Sequence, residues 1–134
     1  MKAFKIGNRL VGEQHPVYIV AEISANHGQS FSRAVAMIRK AKECGADAVK
    51  FQAYTPDTMT IDVQNKYFHV RHPEWGGQTL HQLYQKAYTP WAWLKKLKTV
   101  ADGLGLGFFV TAFDASSVDF LETLGVPVHK IASF

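Results

Sequence analysis

VYIVAEISANHGQSFSRAVAMIRKAKECGADAVKFQA, residues 17–53, decides the fold class. It opens on a near-continuous β-branched run, residues 17–23, which predicts a strand buried on both faces. Residues 24–30 are polar, with Asn26 and Gly28, and read as a loop. Phe31, Ala34, Val35, Ile38, Ala41 and Cys44 then recur at helical spacing. That spacing places Cys44 in the apolar stripe as a buried small hydrophobe. Gly45 fits the position just past the helix end. Residues 47–53 (DAVKFQA) read as a second strand. The unit is strand, helix, strand.

Working outward, the same alternation continues. Residues 4–11 (FKIGNRLV) place two short apolar segments around Gly7-Asn8 and predict a small hairpin. Residues 54–78 form a long aromatic and polar connection with Pro56, Pro73 and Gly76-Gly77, and connections of that length are usually functional or carry minor structure. A short amphipathic helix is expected over residues 79–86. Thr89 as N-cap and Pro90 at the first helical position open another helix, which runs to about Asp102 and stops at Gly103 and Gly105. Residues 107–113 (GFFVTAF) are a third strand, 116–124 a helix and 126–133 a fourth strand. Alternating strands and helices imply parallel strands joined by right-handed crossovers. The two architectures are an open doubly wound sheet and a (β/α)8 barrel. No glycine-rich dinucleotide or phosphate loop follows the first strand, and periodicity alone leaves the choice open.

The chain has 134 residues, 47% hydrophobic and 19% charged, a globular composition that taken alone favours a single domain. No apolar run of about 18 residues predicts a membrane span. No secretory pattern stands at its start, so a cytoplasmic protein is expected. Fifteen Lys and Arg against eleven Asp and Glu give +4. The densest basic group, Lys95, Lys96 and Lys98, reads as a solvated helix face rather than a nucleic-acid stripe. A weak positive field suits a small anionic substrate. A single cysteine excludes an intrachain disulfide.

Ligands of both architectures bind at the C-terminal ends of the strands. Glu22 ends the first strand, followed by Ser24, Asn26 and His27. Lys50 and Gln52 lie in the second, Thr111 in the third with Asp114 after it, and Lys130 and Ser133 in the fourth. Residues two apart share a face, so Lys50 and Gln52 point together while Val49 and Phe51 point away. An unpaired buried charge costs several kcal/mol or titrates away, so Glu22, Lys50 and Lys130 in apolar strands are expected to act jointly. Two lysines with hydroxyls and amides suit a phosphate and a carboxylate, and the glutamate can balance charge, orient hydroxyls or move a proton. Each residue alone has a plainer reading: an ion pair for Glu22 and Lys50, a snorkelling Lys130, a strand-forming Thr111, a turn at Asn26 and His27. No histidine stands at metal-ligand spacing from a partner. Trp75, Trp91 and Trp93 read as packing.

The blocks IVAEISANHG, GADAVKFQAYTPDTMTI, YTPWAW, FFVTAFD and VHKIASF together resemble the sialic acid synthase family of phosphoenolpyruvate-dependent sugar-acid synthases. The stretches at 54–57 (YTPD), 83–84 (LY) and 89–91 (TPW) are most similar to the branch that takes a 2,4-diacetamido-trideoxy hexose to pseudaminic acid. The resemblance implies a (β/α)8 barrel followed by a small antifreeze-like domain. It implies condensation of phosphoenolpyruvate with the open-chain aldehyde of an acetamido sugar, with release of phosphate. It implies a divalent metal, Mn or Mg, that polarises the aldehyde, with histidine ligands beyond residue 134, and a homodimer at full length. Glu22 then contacts the sugar near the reacting carbon and Lys50, beside Gln52, lies on the phosphoenolpyruvate side. Thr111 helps hold that substrate, and Lys130 and Ser133 bind its carboxylate and phosphate. Asn26 is carried as a substrate-binding residue. Ala112 departs from the family's usual proline.

Such a barrel needs about 250 residues. Residues 1–134 are therefore expected to be its N-terminal half, four βα units preceded by the hairpin, inactive when isolated. The competing functions are N-acetylneuraminate synthesis from N-acetylmannosamine, a Schiff-base aldolase using Lys50 or Lys130, and a non-catalytic binding or assembly module.

Overall fold

The computed structural model describes residues 2–132. Its elements run β1 (Phe4–Ile6), β2 (Arg9–Val11), β3 (Val20–Glu22), α1 (Phe31–Glu43), β4 (Ala48–Ala53), α2 (Pro56–Met59), α3 (Leu80–Ala87), α4 (Trp91–Gly103), β5 (Gly107–Ala112), α5 (Ala115–Leu124) and β6 (His129–Ile131). β1 and β2 pair as the expected hairpin. The other four form one parallel sheet in the order β3-β4-β5-β6. Strand order follows chain order, without the reversal that marks a doubly wound sheet.

The core lies on one face of that sheet. Val49, Phe51 and Ala53 of β4 and Phe108 and Val110 of β5 pack with Ala34 and Ile38 of α1, Leu94, Leu97 and Ala101 of α4, and Leu121 of α5. The Phe51 and Phe108 rings stack at 5.4 Å. Each large apolar side chain buried this way contributes about 1.5–3 kcal/mol. Strand alternation sends Lys50, Gln52, Phe109 and Thr111 to the opposite face.

The turns into the two central strands are built alike. After α1, Gly45 N–H bonds the Lys42 carbonyl and Ala46 N–H the Ala41 carbonyl, both at 3.0 Å. After α4, Gly105 N–H bonds the Asp102 carbonyl and Leu106 N–H the Ala101 carbonyl, both at 2.9 Å. This double bond closes a helix through a left-handed residue, and the two glycines have φ of +83° and +67°.

Three local expectations are corrected. Cys44 is exposed, because α1 ends before it and Cys44 becomes the cap residue. The N-cap of α4 is Pro90, with no side-chain cap bond, because the Thr89 hydroxyl is turned to His27. The first core strand is short and not buried on both faces: Val17 and Ile19 are 79% and 54% exposed. It stands at a sheet edge, with no neighbour on its outer side among the described residues.

The hairpin is fastened to the N-terminal end of the sheet. The Arg9 guanidinium pairs with Asp47, whose other oxygen accepts the Ile19 N–H at 2.8 Å. Arg9 also lies over the Tyr18 ring at 5.5 Å, and Tyr18 stacks on Phe109 at 6.0 Å. In the long connection after β4, α2 and α3 each carry a capping box, on Thr55 and Thr79. His81 Nε2 meets Asp57 Oδ1 at 2.8 Å and ties the two helices together.

A Cβ on Gly45 would meet nothing within 4 Å, so its replacement is a conformational test. Gly45→Ala is expected to cost about 1 kcal/mol in urea unfolding, the penalty of an L residue in the left-handed region. Gly45→Asn should cost less.

Candidate functional site

The register of the sheet assembles the site. Opposite residues in a parallel pair face the same way. Glu22 lies opposite Lys50, and Lys50 opposite Phe109. One step toward the strand ends, Gln52 lies opposite Thr111 and Thr111 opposite Lys130. Two rows therefore stand on the face away from the core. They line a cavity of about 270 Å³ made by Glu22, Lys50, Gln52, Thr111, Phe113, Lys130 and Ala132.

Lys50 Nζ meets Glu22 Oε2 at 2.6 Å. The other carboxylate oxygen, Oε1, accepts the Ser24 hydroxyl at 2.7 Å and the Ser24 N–H at 3.0 Å. Ser24 has φ of +48°, a conformation that strains a non-glycine residue by about 1 kcal/mol or more. Its N–H also reaches the Lys50 carbonyl at 3.3 Å, and Ile23 N–H bonds the same carbonyl at 2.9 Å. Lys130 Nζ donates to the carbonyl of Ile131 and meets no carboxylate among the described residues. Thr111 is nearly buried, at 5% exposure. The cavity thus holds two ammonium groups against one carboxylate, a net positive site lined by an amide and a hydroxyl. Such a site favours an anion.

The structure brings Glu22, Lys50, Gln52, Thr111 and Lys130 together. Asn26 lies elsewhere, lining a cleft with Trp75, Gln78, Leu83 and Lys86. Ser133 is outside the described residues. Asp114 serves as the N-cap of α5 in a capping box with Ser117. Burial pushes its carboxyl up, but hydrogen bonds from Ser116, Ser117 and Thr58 outweigh this and hold it below the usual carboxylate range. A larger cavity, about 530 Å³, lies at the hairpin end of the strands. Its acids are paired, Asp47 with Arg9 and Asp102 with Lys98, and it lies at the end of the strands opposite to the one where parallel sheets bind ligands.

The supporting shell was not readable from spacing. Tyr54 sits edge-on to Phe113 at 5.4 Å and to Tyr84 at 5.6 Å. Burial, then the neighbouring Tyr84 phenol, pushes its hydroxyl pKa up to about 12. It braces the cavity wall at Phe113. His27 is fully buried. Its Nε2 bonds Thr89 Oγ1 at 2.9 Å, and its Nδ1 accepts the Gln29 N–H at 3.2 Å. Trp93 meets its ring edge-on at 5.8 Å. An Nδ1 that accepts is unprotonated, so the ring is neutral and its Nε2–H donates. Burial first, and the Arg33 charge second, hold its pKa below the usual value.

No group of three or more His, Cys, Asp or Glu side chains able to hold a metal ion occurs among the described residues. No helix among them is long and apolar enough to cross a membrane.

The model of the NeuB family matches residues 37–134. The chain belongs to the NeuB family. A pseudaminic acid synthase of Helicobacter pylori is 43% identical over 89% of this chain and 35% of its own length. A pseudaminic acid synthase of Campylobacter jejuni is 38% identical over 88% of this chain and 34% of its own. A crystal structure of an N-acetylneuraminic acid (sialic acid) synthetase from Leptospira borgpetersenii, in complex with citrate, superposes with a TM-score of 0.80 at 29% identity. That match covers 97% of this chain and 41% of the Leptospira chain. The chain therefore spans about a third of the length of the NeuB relatives it matches.

His27 yields a stability test. Its folded pKa lies below the unfolded value of about 6.5. The unfolded chain therefore gains a proton first as pH falls, and stability drops through that window. The melting temperature should fall between pH 7.5 and pH 5. His27→Gln should be less stable at pH 7.5 and should lack His27's share of that fall.

Proposed function

We propose that these residues are the first four βα units of a (β/α)8 barrel in a synthase. It condenses phosphoenolpyruvate with the open-chain aldehyde of an acetamido sugar and releases phosphate. The observation that carries this reading is the pair of rows, Glu22–Lys50 and Gln52–Thr111–Lys130, at the strand ends on one face of the sheet. Active sites of such barrels lie at that end. Among the relatives, the pseudaminic acid synthases support a 2,4-diacetamido-trideoxy hexose as the sugar and pseudaminic acid as the product.

In this reading Lys50 and Lys130 bind the phosphate and carboxylate of phosphoenolpyruvate. Thr111 and Gln52 complete its hydrogen bonds, and Ser133 follows Lys130 on the same substrate. The enol C3 attacks the aldehyde carbon, forming the new C–C bond, and the aldehyde oxygen takes a proton. Water adds at C2 and gives up one proton. The C2–O bond to phosphate then breaks as the remaining C2 hydroxyl loses its proton, leaving a C2 ketone and free phosphate. Glu22 is the carboxylate among the residues lining the cavity. It holds the sugar near the reacting carbon and takes the proton given up by the water that adds at C2. The lysines stabilise charge that grows on the leaving phosphate. The described residues do not form a metal site, and the steps assigned to this chain use its own side chains.

The full-length protein, with phosphoenolpyruvate, manganese or magnesium and the 2,4-diacetamido sugar, should release phosphate. Release with N-acetylmannosamine alone would reassign the product to N-acetylneuraminate. A borohydride-trapped adduct with pyruvate would replace the reading with a Schiff-base aldolase. Lys130→Met should raise the KM for phosphoenolpyruvate about 10- to 100-fold, the loss of a hydrogen bond to a charged group. Lys50→Met should lower kcat about 100-fold or more.

A further inference from the structure

We infer that Ser24 is a positioning residue for Glu22, holding one carboxylate oxygen so that the other is left for Lys50 and the substrate. This rests on the reading that Glu22 acts in the cavity. Both hydrogen-bonding groups that Ser24 has to donate, its hydroxyl and its N–H, converge on Oε1 at 2.7 and 3.0 Å. Lys50 takes Oε2. The carboxylate is thereby fixed in rotation, with its two oxygens given different neighbours. A flexible glutamate at 41% side-chain exposure would otherwise sample several rotamers.

The backbone makes the same point. The left-handed turn at Ser24, φ +48°, directs its N–H back at both Glu22 and the Lys50 carbonyl. Glycine would adopt this conformation without strain. Serine adopts it at a cost and adds the hydroxyl, so the side chain is the part the turn alone does not explain. A closed circuit results: the Glu22 carboxylate to Ser24, Ser24 to the Lys50 backbone, and the Lys50 ammonium to the Glu22 carboxylate. Ser24 therefore sets where the Glu22 carboxylate points.

Ser24→Gly separates this role from folding, since glycine suits the turn. In the full-length protein its melting temperature should equal or exceed that of the unchanged protein. A crystal structure of this variant should show the Glu22 carboxylate no longer held in the single rotamer that meets Lys50 Nζ. The kcat for phosphate release should fall about tenfold with the KM for phosphoenolpyruvate unchanged. Ser24→Thr keeps the hydroxyl and should recover kcat even with a lower melting temperature. A Glu22 carboxylate unmoved in Ser24→Gly, or an unchanged kcat in an active protein, overturns the inference. A displaced Glu22 carboxylate in a protein that releases no phosphate even when unchanged upholds the positioning role and refutes the synthase reading instead.

Discussion

The register of β4 against its two neighbours decides which side chains share the cavity, because opposite residues of a parallel pair face the same way. A slip of one residue would turn Val49 and Phe51 into the cavity and drive Lys50 among the core side chains. Placing an unpaired ammonium there would cost several kcal/mol. The apolar face, with Val49 and Phe51 fully buried, therefore fixes the polar face. The turns at Gly45 and Gly105 deliver β4 and β5 to the sheet in matching geometry. From that alignment follow the Glu22–Lys50 contact and the Gln52–Thr111–Lys130 row.

Charge gives the two rows their chemistry. The Lys50–Glu22 pair has side chains 22% and 41% exposed, and a pair this open to water adds at most about 1 kcal/mol to folding. Its value lies in what it prepares. Glu22 is held between Ser24 and Lys50, and Lys130 faces the same space without a carboxylate among the described residues. An arriving dianion would meet two ammonium groups. On the same face, toward the hairpin, Phe109 stacks on Tyr18, which Arg9 covers. The anion end and the supporting end of the sheet are thus distinct.

Much of this was legible in the chain. Apolar periodicity located the hairpin and the four parallel strands, and period-two alternation put Lys50 and Gln52 on one face. Charged residues in otherwise apolar strands named Glu22, Lys50 and Lys130, and the structure places them in one cavity. What periodicity could not give was long-range geometry. Asn26 follows the same strand as Glu22, yet the loop turns it to a cleft beside Trp75. Thr89 has the form of a cap but bonds His27, 62 residues away in the chain. Cys44 keeps the helical spacing but falls one residue past the helix. Ser24 stood out only as a polar residue after the first strand, because neither its positive φ nor its two bonds to one Glu22 oxygen can be read from spacing. Whether the sheet was open or singly wound also waited on strand order, which local sequence does not encode.

The most direct measurement is a crystal structure of the full-length protein with phosphoenolpyruvate bound. Phosphate and carboxylate oxygens should lie within hydrogen-bond distance of Lys50 and Lys130, beside Thr111, with the Glu22 carboxylate still held by Ser24. Phosphoenolpyruvate seated at the hairpin end near Arg9 and Lys42, with the Lys50–Lys130 cavity empty, would contradict it.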